Sequence, residues 1–189
     1  MLNRSITKVS PSHLREPVIP SDRSETQPYG TLQRTPLALD CDIAAASVDN
    51  LNQLLADTLT LGSLYKKHHW QVSGPNFYSL HLLFDKHYEE QESLADLLAE
   101  RVQTLGGVSV AMAHDVAELA SIPRSPKGRE DPANQINRLL QAHEVILLEA
   151  RAMAREAAEL GDLGTNDIIV SDLIRLNEAQ VWFVVEHIQ

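Results

Sequence analysis

Between Leu80 and Leu105 the chain carries two stripes at helical spacing, and few folds accommodate both. Leu80, Leu83, Phe84, Leu94, Leu98, Val102 and Leu105 gather on one side when residues are set at a helical step of roughly 100° each. His81, Asp85, Glu92, Asp96 and Glu100 fall on a second stripe, displaced from the first by roughly 100 to 200°. The first is a core face. An acidic stripe is most often the wet side of an amphipathic helix, but solvated faces commonly interleave charges of both signs, and this one has almost no basic partner. Ala95 and Ala99, beside Asp96 and Glu100, leave room for another helix to approach.

The same periodicity organises the rest. Leu51, Leu55, Gly62, Tyr65 and His69 recur on one stripe, which predicts helix A from about Ser47 to Val72. SGPNF interrupts it, helix B runs from about Ser79 to Leu105, and Gly106 and Gly107 stop it. A connector rich in Pro and Gly follows, in which VAMAHDVAELA has the pattern of a short helix across the top. Pro132 opens helix C, Gly161 and Gly164 close it, and Thr165 is placed to cap helix D, which runs to about the chain end. Four long helices with one long connection between the second and third describe an all-α, four-helix bundle with a crossover, of which the ferritin-like arrangement is one form.

Residues 1–40 read as a separate Pro-rich, flexible N-terminal tail, and residues 41–189 as the bundle domain. Up to Leu37 the tail holds Arg4, Lys8, Arg15, Arg23 and Arg34 against Glu16, Asp22 and Glu25, a net of about +2, which leaves about −12 for the remainder of a chain of formal charge −10. A body this acidic is not built to coat nucleic acid and suits a cationic ligand. Cys41 is the lone cysteine, so no intrachain disulfide or thiolate metal cluster is expected. The N-terminus lacks the apolar core of a signal peptide and no apolar run is long enough to span a bilayer. The expectation is a cytoplasmic protein with no membrane partner.

Spacing decides what the second stripe can do. His81 and Asp85 lie one turn apart and can grip one ion, as can Asp96 and Glu100. Asp85 and Asp96 are roughly 16 Å apart along the axis, too far to share a cation, so one chain offers two half-sites. A second copy of helix B packed antiparallel about a twofold axis would bring His81 and Asp85 of one chain to Asp96 and Glu100 of the other. Imidazole and carboxylate without sulfur suit iron, manganese or zinc, and geometry does not choose among them. His68 and His69 both close helix A, and periodicity does not say which faces the site. No histidine has a Glu three residues before it, which argues against a di-iron centre inside a single bundle.

HHWQVSGPNFYSLH, FDKHYEE and LADLLAERVQTLGG together resemble the Dps family, the mini-ferritins called DNA-binding proteins from starved cells, from about residue 47 through the last helix. The resemblance implies a hollow dodecameric shell that oxidises Fe(II), preferentially with hydrogen peroxide, and stores ferric mineral. It implies a two-iron ferroxidase centre shared between subunits, with His69, His81 and Asp85 from one chain and Asp96 and Glu100 from the other. Trp70 matches the family's tryptophan beside that centre, where it would intercept oxidising equivalents. ELGDLGTNDIIVSD resembles the acidic pore through which iron enters, with Asp167 the best match, Asp162 a weaker one and Glu159 a third. The other readings are a nucleoid-binding or structural shell that protects DNA, and a zinc or manganese buffer. His13, His114 and Asp115 are candidates for an accessory metal, with surface or packing roles more common for such residues.

Overall fold

The computed structural model describes residues 25–188. The expected bundle is present. Helix α1 spans Cys41–Gln71, α2 Phe77–Thr104, the short α3 Ala113–Leu119 and α4 Pro132–Leu160. The last rod is continuous: α5 (Leu163–Asp167), a π-helical stretch (Ile168–Ile174) and α6 (Arg175–Val185) follow one another without leaving right-handed helical backbone. Helix α1 starts earlier than the apolar stripe suggests, because Asp40, extended at φ −66° and ψ 143°, is where the backbone turns.

Helices α1 and α2 run antiparallel, with Tyr65 beside His87 towards one end and Val48 beside Gly107 at the other. Helix α4 is antiparallel to α1, pairing Tyr65 with His143 and Asn50 with Glu156, so α2 and α4 point the same way and only a long connection can join them. The crossover lies alongside α1 rather than across the top. Asn52 donates to Val108 O (3.1 Å) and accepts from Val110 N (2.8 Å), while Asp57 accepts from Ile122 N (2.9 Å). Two buried polar side chains on α1 thus satisfy connector backbone that would otherwise be buried without partners.

Leu80, Phe84, Leu94, Leu98, Val102 and Leu105 are buried as the first stripe requires, with Leu83 only half-buried. The end of α2 meets the chain's own N-terminal side. Gly106 has φ +89°, and its carbonyl accepts from Gln33 N (2.8 Å) and Gln27 Nε2 (2.9 Å). A Cβ there would sit 1.9 Å from Gln33 O, so both conformation and approach demand glycine. Residues 25–40, expected as the end of a free tail, therefore lie against the body, with Leu32 and Leu39 packed on the core. His13 and the basic residues Arg4, Lys8, Arg15 and Arg23 lie outside the described residues.

The final helix also begins differently from the expectation. Its N-cap is Asp162, whose carboxylate accepts from Thr165 N (3.0 Å) and Thr165 Oγ1 (2.6 Å), so Thr165 is the capped residue. Asp162 is 3% exposed and also holds Ser47 Oγ (2.8 Å) and Arg101 (2.7 Å). Burial pushes its carboxyl up, but Thr165, Ser47 and the Arg101 guanidinium outweigh that and hold it below the ordinary range. With both oxygens engaged, Asp162 is not offered to a pore. Asp167 stands exposed and accepts only from Ser171 Oγ (2.8 Å).

Candidate metal centre

Where α1 ends and α2 begins, two histidines fix each other. His69 Nδ1 donates to His81 O (2.8 Å) and His81 Nδ1 donates to His69 O (2.9 Å), and the rings stack with centroids 3.8 Å apart at 18°. A carbonyl can only accept, so both Nδ1 atoms carry a proton, and in the neutral imidazole this tautomer leaves the lone pair on Nε2. This is how proteins orient imidazoles for a metal: the second nitrogen is held by an outer hydrogen bond that sets tautomer and ring angle. The short loop 72–76 between α1 and α2 lets the end of one helix return beside the start of the other, so that each histidine reaches the other's carbonyl.

Asp85 joins them from the next turn of α2, with Oδ1 3.8 Å from His69 Nδ1. Its direct partner is Lys66 Nζ at 2.5 Å, and that hydrogen bond is the main reason its carboxyl is held below the ordinary range. Lys66 also lies 4.4 Å from the centre of the Tyr88 ring. A metal cation taken up by Asp85 would have to displace this ammonium, which acts as an internal counter-ion.

The other half of the stripe behaves differently. Asp96 and Glu100 are exposed, and their carboxylates make no hydrogen bond or ion pair with any described residue. Among the described residues no three His, Cys, Asp or Glu side chains of one chain converge on a point that could hold an ion. His69 and His81 are locked together with Asp85 beside them, while Asp96 and Glu100 stand one turn apart and exposed further along α2, and neither set makes an ion site by itself. Glu92, between them, accepts from the Tyr88 hydroxyl.

The first cluster is ringed by exposed apolar surface. Phe77 stacks on His81 with centroids 5.1 Å apart, Trp70 is 69% exposed and Tyr78 72%. Large aromatic rings therefore stand in water beside the half-buried imidazoles, the kind of surface that protein contacts commonly use. His68, which periodicity left level with His69, is fully buried, and burial lowers its pKa to about 4, so it stays neutral inside the bundle.

Sequence reasoning missed a polar layer at mid-bundle. His87 and Gln91 complete the core stripe of α2 between Phe84 and Leu94, and both are buried. Tyr65 OH lies 2.6 Å from His143 Nε2 and 3.1 Å from His87 Nδ1; His143 Nδ1 lies 2.8 Å from Asn177 Oδ1; Gln91 reaches Asn177 (3.2 Å) and Gln180 (2.9 Å). The signal was available. The spacing from Leu80 through Phe84, His87, Gln91 and Leu94 to Leu98 alternates four and three, which puts His87 and Gln91 in the core whatever their polarity. Its buried members include no carboxylate, and a single half-buried one, Glu90, accepts from Gln180 Nε2 at its edge (2.9 Å), so the layer lacks the paired carboxylates of an in-bundle di-iron centre.

Residues 48–189 match the family described as a ferritin-like domain. The chain is 35% identical over 142 residues to the DNA protection during starvation protein of Halobacterium salinarum, covering 75% of this chain and 78% of that one. It is 33% identical over 152 residues to the nutrient stress-induced DNA-binding protein of a Nostoc species, covering 80% and 83%. This chain belongs to the Dps family of ferritin-like proteins. Among solved structures of the family it superposes on DpsC from Streptomyces coelicolor with a TM-score of 0.87 and 49% identity, over 88% of this chain and 96% of that one. An archaeal Dps homologue from Halobacterium salinarum gives 0.85 and 30%, over 90% and 94%. The Dps protein of Vibrio cholerae, described as a member of the ferritin-like diiron-carboxylate proteins, gives 0.77 and 26%, over 82% and 96%. The fold is thus shared with these Dps structures over most of its length.

Proposed function

We propose that this protein is a cytoplasmic iron storage and detoxification protein that oxidises Fe(II) with hydrogen peroxide at centres shared between subunits of a dodecameric shell. The observation that carries this reading is the His69–His81 lock, which holds two imidazoles with free Nε2 atoms at the edge of one subunit, beside aromatic surface left uncovered. Asp85 supplies a carboxylate from the same chain. Asp96 and Glu100 of a neighbouring subunit supply the rest, since among the described residues of their own chain no side chain pairs with their carboxylates. Membership of a family that includes diiron-carboxylate proteins supports iron as the metal over zinc or manganese.

The donor set explains the chemistry. Carboxylates favour the more highly charged Fe(III), so binding at this centre lowers the cost of oxidation. Two Fe(II) ions held together give one electron each to one peroxide, which takes up two protons and leaves as water. Paired withdrawal avoids release of hydroxyl radical. Acidic residues of the shell, Asp167 among them, would then guide incoming cations and their mineral.

Stopped-flow mixing of the assembled protein with Fe(II) and peroxide tests this. The wild type accelerates Fe(II) loss over buffer, and Asp96→Ala with Glu100→Ala abolishes the acceleration. A wild-type rate equal to buffer, or an undiminished rate in the double variant, overturns the assignment.

Protection of DNA is a second reading, favoured by the names of the relatives from Halobacterium and Nostoc. On an acidic body the contact would have to come from the N-terminal segment, gathered in many copies on one shell. Deleting residues 1–37 should then abolish retention of DNA in a low-salt mobility shift, and unchanged retention would defeat this reading.

A further inference from the structure

The mid-bundle layer has a hydrogen-bond direction that can be read outward from one fixed point. Asn177 Nδ2 donates to Leu173 O (2.8 Å), so its Oδ1 is an acceptor and His143 Nδ1 must carry the proton. Neutral His143 then offers Nε2 as an acceptor, and the Tyr65 hydroxyl donates to it across 2.6 Å. The same phenol oxygen accepts from His87 Nδ1 at 3.1 Å. All three side chains are buried. A phenol with a short hydrogen bond to a neutral imidazole base, and with a second donor on its oxygen, is arranged to lose an electron while its proton moves to that base.

Position gives the arrangement a use. Tyr65 is one turn of α1 before His69, about 6 Å along the axis. Its ring centroid is 6.0 Å from that of Phe84, the residue before Asp85. No other tyrosine is buried against an imidazole: Tyr29 and Tyr78 are exposed, and Tyr88, half-buried, donates to the exposed carboxylate of Glu92.

We infer that Tyr65, with His143 as its proton acceptor, is an auxiliary one-electron donor to the iron-oxidising centre, used when only one Fe(II) is bound as peroxide arrives. This rests on the ferroxidase reading above. Peroxide needs two electrons and two protons to become water. One electron comes from the single Fe(II), which becomes Fe(III), and the other from Tyr65, which becomes a neutral tyrosyl radical. The phenolic proton passes to Nε2 of His143, which is neutral at rest and accepts it only because a phenol that has lost an electron is a far stronger acid than an imidazolium, and solvent supplies the two protons that peroxide consumes. The next Fe(II) returns an electron to the radical, and His143 returns the proton. The phenol thereby keeps a half-loaded centre from releasing hydroxyl radical.

The test is rapid-freeze electron paramagnetic resonance on assembled protein given one Fe(II) per centre and excess hydrogen peroxide, with Fe(II) loss followed in parallel. The wild type should show a tyrosyl signal that narrows when the tyrosines carry ring deuterons and that persists in Trp70→Phe. Tyr65→Phe should lose it. His143→Gln keeps a side chain able to bridge Tyr65 and Asn177 but removes the base, and should also lose the signal even if Tyr65→Phe fails to fold. Fe(II) oxidation with no tyrosyl signal, or a signal unchanged in either variant, overturns this inference and leaves the ferroxidase reading standing. No Fe(II) oxidation by the wild type overturns both.

Discussion

Asp85 and Asp162 show how differently two ion-paired carboxylates can be used. Asp85 is half-exposed and faces Lys66, an ammonium that a metal ion can displace, so replacing Lys66 by Met should tighten Fe(II) binding to the His69, His81 and Asp85 cluster. Isothermal titration under anaerobic conditions measures it, and weaker binding in Lys66→Met would contradict the counter-ion role. Asp162 is buried and bonded to Arg101, Ser47 and Thr165. Asp162→Ala strands the Arg101 guanidinium and uncaps the last helix, an expected loss of about 3–5 kcal/mol in denaturant unfolding. Iron entry through a pore should respond to Asp167→Ala instead. The sequence placed an acidic residue at both positions but could not show that one side chain turns inward, because that depends on Ser47 and Arg101, 115 and 61 residues away.

Helices were legible from periodicity, and what joins them was not. The stripes of α1, α2 and α4 follow from apolar spacing, while the docking of residues 25–40 follows from a single backbone bond between Gln33 and Gly106 that no pattern announces. Gly106→Ala forces a Cβ into Gln33 O and a strained φ, and should cost about 1–3 kcal/mol while releasing the segment. Hydrogen exchange at Gln33 N should rise in that variant and stay at the wild-type rate in Gly128→Ala, where a Cβ meets nothing within 4 Å. The polar layer links all four long helices and makes stability depend on pH. Burial lowers the pKa of His143 from 6.5 to about 4, so the unfolded chain binds a proton that the fold refuses. That contribution, on the order of 3 kcal/mol, is complete above pH 6.5 and is lost as pH falls towards about 4. His87, lowered to about 4 by the same cause, adds in the same direction. The urea midpoint should therefore be steady above pH 6.5 and fall below it, and a midpoint that rises on acidification would contradict a neutral layer.

At the scale of the whole molecule, the separation of Asp85 from Asp96 along one helix already implied a centre divided between subunits. The structure adds the histidine lock, the counter-ion and the exposed aromatic rim, each of which needs the turn between α1 and α2 to be folded before it exists. The claim that ligands come from two chains is tested most directly by complementation. Subunits carrying His81→Ala with Asp85→Ala retain the carboxylate half, and subunits carrying Asp96→Ala with Glu100→Ala retain the histidine half. Each variant shell alone should be inactive. Unfolded together and reassembled in equal amounts, they should recover about a quarter of the wild-type rate of Fe(II) oxidation, since random pairing across a twofold interface rebuilds that fraction of centres. Mixed shells as inactive as their parents would show that the centre is not shared.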